Sequence, residues 1–143
     1  MTVSDMPELA LKPLHVLIVD DNNAAALTTG WLLETLGHTF ETAANAAEAL
    51  GRAKENVPDL VLVDIGLPDV NGYDLCEQLK SVEALGQTVL VAHSGYGQEQ
   101  HRKRAADVGC SHFLLKPFAL PDIQKILVEV ANRKTNPSAI FCG

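Results

Sequence analysis

A chain of 143 residues with 47% hydrophobic and 20% charged content holds enough apolar material for one domain with a packed core, and too much for a disordered or fibrous class. A formal net charge of −7 opposes a duplex-binding surface, which needs Lys and Arg against phosphates, and favours a cation or a basic partner. The start MTVSDMPELALKP lacks the basic-then-apolar order of a secretion signal and no run approaches a membrane span, so a cytoplasmic protein without membrane attachment is expected.

Short runs rich in Val, Ile and Leu recur along the chain, at 15–19 (HVLIV), 59–63 (DLVLV) and 88–92 (TVLVA), with weaker ones at 38–43 (HTFETA) and 112–116 (HFLLK). Continuous apolar runs of this length suit strands buried on both faces. Helix-length segments lie between them. In the first, Ala25, Thr28, Thr29, Leu32, Leu33 and Leu36 recur at helical spacing and predict an inward stripe, which Gly37 then ends. Further helices are expected at 46–56, 72–85, 97–108 and 119–133, the last with Ile123, Leu127 and Val130 on one face and Pro121 near its start. Strands alternating with helices predict an α/β fold, a doubly wound five-stranded parallel sheet with helices on both faces and right-handed crossovers. The division expected is a flexible segment over 1–13, one domain over 14–133 and a tail over 134–143 without an output domain. Cys76, Cys110 and Cys142 are too widely spaced for a zinc site or a disulfide framework. The first two are expected to fill the core, with Cys142 an exposed thiol in the tail.

In open parallel sheets ligands gather at the carboxyl ends of the strands. The notable polar residues fall there: Asp20 and Asp21 end the first strand, Asp64 the third, Ser94 the fourth and Lys116 the fifth. Singly, each has a structural explanation as a helix cap, a turn former or a solvated edge charge. Together they describe a rim. Converging carboxylates repel unless a divalent cation sits among them, and hard oxygen ligands suit Mg²⁺, with Mn²⁺ as the alternative. A carboxylate such as Asp64 is then a nucleophile toward a phosphoryl group, with Lys116 neutralising the transferring oxygens and Ser94 donating its hydroxyl.

These residues resemble the receiver domain of bacterial two-component response regulators over roughly 14–133. VLIVDDN matches that family's acidic pair, LVLVDIGLPDVNGYDL its phosphoacceptor loop, VLVAHSGYG its switch hydroxyl and FLLKPF its Lys-Pro pair. The resemblance implies the flavodoxin-like strand order 2-1-3-4-5. It implies Asp64 as phosphoacceptor, and Asp21, Asp64 and the Gly66 carbonyl as direct Mg²⁺ ligands, with Asp20 acting mainly through water. Ser94 and Lys116 would contact the phosphoryl group, Ser94 and Phe113 would form the switch, and Pro117 would follow a cis peptide bond. Pro68 and Gly72 would shape the loop after Asp64, while Gly66 and Tyr96 would set the lifetime of the aspartyl phosphate. The function implied is phosphorylation-dependent signalling in a two-component system or phosphorelay, with Mg²⁺-dependent self-phosphorylation and no metabolite turnover. The partners implied are a histidine kinase or histidine phosphotransfer protein and a downstream protein target, without direct nucleic-acid binding, in a monomer or weak dimer.

Two other classes fit less well. An FMN-binding protein would share the fold, but DDNNAAA after the first strand would repel the flavin phosphate. A phosphatase with an aspartyl-phosphate intermediate would carry a second acid two residues after its nucleophile, where this chain has Gly66. His93 stands where an aliphatic residue is usual in the resembled family and reads as a half-buried strand residue. HRKR at 101–104 reads as the charged outer face of a helix, and Trp31 with Leu27 as an exposed patch opposite the apolar stripe of the first helix.

Overall fold

The computed structural model describes residues 13–65, 71–95, 99–116 and 118–135. In chain order it comprises β1 (His15–Val19), α1 (Asn23–Thr35), β2 (Thr39–Ala43), α2 (Ala46–Glu55), β3 (Leu60–Asp64), α3 (Gly72–Lys80), a short 3₁₀ turn (Glu83–Leu85), β4 (Val89–Ser94), α4 (Glu99–Asp107), β5 (His112–Leu115) and α5 (Leu120–Thr135). The strands form one sheet in the order β2-β1-β3-β4-β5, every pair parallel. The expected doubly wound fold is therefore present.

Because strand side chains alternate, the apolar runs divide between two cores. Val16 and Ile18 of β1, Leu60 and Leu62 of β3, and Val89 and Val91 of β4 pack under α1 and α5. Leu17, Val19, Val61, Val63, Leu90 and Ala92 pack under α2, α3 and α4. Uniformly apolar strands are what a sheet covered on both faces requires. In α5 the expected Ile123, Leu127 and Val130 are buried, joined by Ile126 and Ala131. Gly37 ends the α1 turn with a φ of +95°, a conformation open to glycine.

Boundaries differ from the sequence reading where backbone pairing outruns side-chain polarity. Asp64 and Ser94 end β3 and β4 as expected, so these strands run past the apolar runs at 59–63 and 88–92, since the ladder pairs Asp64 with His93 and Ser94 with Leu115. The expected helix over 72–85 stops at Lys80, and residues 83–85 form a separate 3₁₀ turn. The stripe predicted for α1 holds at Leu33 and at Leu36 just past the helix, and is one position off at its start. Its inward residues are Ala26, Gly30 and Leu33, whereas Ala25 and Thr28 are exposed. A Cβ at Gly30 would collide with the ring of Phe40, so α1 lies against β2 at a distance only small residues permit. Small inward residues carry little hydrophobic signal, which is why the larger neighbours drew the stripe.

Candidate functional site

Every strand points its carboxyl end at one rim, and short local structures hold the polar residues there. Asp20 follows β1 and is fixed from both sides: its N–H donates to Ala43 O (2.9 Å), and its Oδ1 accepts from Asn22 N (2.9 Å). Asn22 then caps α1, its side chain accepting from Ala25 N at 3.1 Å. Asp64 closes β3. Beyond it, Ile65 N donates to His93 O and Gly72 N to Ile65 O, both at 3.1 Å. A Cβ on Gly72 would stand 2.5 Å from Ile65 Cα and 2.8 Å from Asp64 O. Only glycine lets α3 begin so close behind Asp64.

Carboxylate oxygens of Asp20, Asp21 and Asp64 lie within 4.8 Å of one another. Asp20 and Asp64 are buried at 6% and 8% exposure, and Asp21 is exposed. Oxygens about 2.0 to 2.6 Å from a shared hard cation can stand up to roughly 5 Å apart, so this donor set fits such an ion without rebuilding. Lys116 follows β5, its N–H donating to Ser94 O at 2.8 Å, and its Nζ lies 3.1 Å from Asp64 Oδ2. One ammonium faces three carboxylates. Burial pushes the Asp20 carboxyl above its ordinary range, the Asn22 N–H opposes this, and the Asp64 charge adds to it.

The carboxylates open into a cavity of about 970 Å³. On one side stand Lys116, His93 and Phe118; on the other is the α1 wall, including Thr28, Trp31 and Leu32. Four residues of the stripe read as inward, Ala25, Thr28, Thr29 and Leu32, thus line the cavity. Trp31 is 57% exposed, as its reading as an exposed patch anticipates. His93, read as half-buried, is buried and packs edge-to-face with Phe118 (centroids 5.0 Å apart), and its Nε2 has no hydrogen-bond partner among the described residues. Desolvation, with Lys116 nearby, lowers its pKa to about 4, so the ring is neutral. Nothing in a strand pattern marks this, because an imidazole reads equally as surface or core.

Ser94 is buried and shares a sheet face with Phe113, whose strand neighbour is Ala92. Phe113 packs on the α2, α3 and α4 core, and Arg102 lies 4.8 Å over its ring. Arg102, Lys103 and Arg104 are exposed, in line with an outer helix face, but His101 turns inward and its Nδ1 meets Tyr73 Oη at 3.1 Å. The sequence-predicted Gly66, Pro68, Tyr96, Pro117 and Cys142 lie outside the described residues. No helix among the described residues is long and apolar enough to cross a membrane.

Comparison with known proteins agrees with this geometry. Residues 16–128 match the profile of the response regulator receiver domain. The chain is 35% identical over 107 residues to a gliding motility regulatory protein of Myxococcus xanthus, covering 75% of this chain but only 14% of that protein. It is 32% identical over 109 residues to the polar-differentiation response regulator DivK of Brucella anthropi, covering 76% of this chain and 89% of DivK. Among solved structures, a CheY-like receiver domain protein from Methanospirillum hungatei superposes with a TM-score of 0.78 at 27% identity, covering 87% of this chain and 98% of that one. Profile, relatives and fold converge: the chain belongs to the response regulator receiver domain family, the phosphorylation-dependent signalling modules of two-component systems.

Proposed function

We propose that this chain takes a phosphoryl group onto Asp64 from a histidine of a sensor kinase or phosphotransfer protein, and signals by the change of shape that follows. One observation carries the reading: Asp64 Oδ2 lies 3.1 Å from Lys116 Nζ, inside a cluster where Asp20 and Asp21 carboxylates stand within 4.8 Å. In the transfer an Asp64 oxygen forms the new P–O bond as the P–N bond to the donor imidazole breaks. Lys116 neutralises charge on the phosphoryl oxygens, and the buried cluster confines the donor to one approach through the cavity. Asp20, Asp21 and Asp64, with the Gly66 carbonyl, would hold Mg²⁺ or Mn²⁺, which when bound supplies further charge neutralisation.

Ser94 then turns its hydroxyl toward the phosphoryl oxygens, Phe113 rotates into the space released, and the surface of α4, β5 and α5 alters. Gly66 and Tyr96 set the lifetime of the product, Gly66 offering no side chain to orient a hydrolytic water and Tyr96 screening the phosphoryl group. The receiver occupies 14–133, with 1–13 and 134–143 outside it, and acts in the cytoplasm on a protein target, as a monomer or weak dimer without direct nucleic-acid binding. A small phosphodonor such as acetyl phosphate, with Mg²⁺, should add one phosphoryl group to the wild type and none to Asp64→Asn. Equal labelling of the two proteins in intact-mass spectra would overturn the assignment.

A further inference from the structure

Away from the carboxylate rim, two cysteines that are distant in sequence meet inside the core. Cys76 on α3 and Cys110 in the turn between α4 and β5 are 34 residues apart, yet their Sγ atoms stand 3.3 Å from each other and both are free. Cys76 is fully buried and Cys110 is 8% exposed, so any reagent arrives at Cys110 first. The turn bearing Cys110 is held by Cys110 N to Ala105 O and Ser111 N to Leu90 O, both 2.9 Å. The stem of Lys80 passes over this turn, since a Cβ on Gly109 would stand 2.7 Å from Lys80 Cγ.

We propose that Cys76 and Cys110 are a redox-active dithiol that closes to an intramolecular disulfide under a peroxide, joining α3 to the turn that leads into β5. About 1.3 Å of approach takes sulfurs 3.3 Å apart to the roughly 2.05 Å of an S–S bond. Cys110 is the nucleophile: it is the more accessible sulfur, and the Cys76 thiol, which can donate to it across 3.3 Å, and the nearby Lys80 ammonium both favour its thiolate against the opposing burial. Its sulfur attacks one peroxide oxygen, the O–O bond breaks, and the product is a sulfenic acid and hydroxide, which leaves as water. Cys76 then attacks the sulfenic sulfur. The S–O bond breaks as the S–S bond forms, and the leaving hydroxide takes the Cys76 proton as a second water. The two sulfurs have lost two electrons and the peroxide has gained them. The inference does not depend on which residue is phosphorylated.

Hydrogen peroxide added to the Cys142→Ser protein tests this, with alkylation of remaining thiols and tryptic mapping without reductant. The expected result is a monomer lighter by two hydrogens, with residues 55–80 linked to residues 105–125 and the link lost on reduction. In Cys76→Ser the same treatment should leave Cys110 as a sulfenic acid that a dimedone probe captures. The oxidised protein should melt several degrees higher than the reduced one, because the bridge restricts the unfolded chain. Two thiols that remain alkylatable at peroxide concentrations that oxidise an exposed cysteine, or Cys110 over-oxidised with Cys76 untouched, would overturn the proposal. The wild-type map alone is decisive if a serine variant does not fold.

Discussion

Lys116 Nζ lies 3.1 Å from Asp64 Oδ2 and is the cation set against the clustered carboxylates of Asp20, Asp21 and Asp64. It occupies the position of a counter-charge, and a bound divalent ion would have to share the carboxylates with it. Lys116→Met should therefore act in two directions. Mg²⁺ should bind about fivefold more tightly, roughly 1 kcal/mol, since the competing charge is gone and its partial exposure limits its effect. Phosphoryl transfer from a small donor should become slower. Calorimetric titration with Mg²⁺ reads the first effect and intact-mass kinetics the second; weaker metal binding in the variant would contradict the electrostatic account.

Gly72 is a second point of leverage. A methyl group there meets backbone atoms of Ile65 and Asp64 at 2.5 and 2.8 Å, and backbone cannot step aside as a side-chain tip can. Gly72→Ala should lower stability by about 2 kcal/mol. Urea unfolding monitored by Trp31 fluorescence measures it. A loss below a few tenths of a kcal/mol would mean that the start of α3 moves freely against β3.

The neutral, buried His93 ties stability to pH. Its folded-state pKa is about 4 against an ordinary 6.5, so the unfolded chain binds the extra proton first. The contribution is fully present above pH 6.5 and is lost as pH falls toward 4, with a slope of up to about 1.4 kcal/mol per pH unit. His93→Leu should remove this slope. It should also be about 1 kcal/mol more stable at pH 7.5, because the partnerless Nε2 is gone. Denaturation of both proteins from pH 7.5 to 4.5 without metal gives the difference directly, and parallel curves would show that folding leaves the His93 pKa unshifted.

Ser94→Ala should still be phosphorylated, at a reduced rate, while the α4–β5–α5 surface ceases to respond. Amide shifts of Phe113 and its neighbours, compared with and without the phosphodonor, separate the two events. Full shifts in the variant would assign the switch to another residue.

How far the chain could be read without its structure varied with the physics of each part. Continuous runs such as HVLIV and DLVLV read as buried strands because they are too short for a helix and rich in β-branched residues. Strand order and rim followed from the resemblance and the parallel topology. The start of the α1 stripe was misread because Ala26 and Gly30 are small where contact is closest, whereas Leu33 and Leu36 were read correctly. His93 escaped because burial of a neutral imidazole is decided by Phe118 and α1, which are remote in sequence. The 3.3 Å approach of Cys76 to Cys110 was equally hidden, although the burial of both was anticipated.

The collision that a Cβ at Gly30 would make with Phe40 has a mechanical consequence. The contact sets how closely the middle of α1 approaches β2, and with it the position of the cavity wall that carries Thr28 and Trp31. Lys116 and Phe118 line the same cavity from the junction of β5 and α5, which takes no part in that contact. A larger residue at position 30 would therefore shift the Thr28 and Trp31 side of the opening and leave the Lys116 and Phe118 side in place.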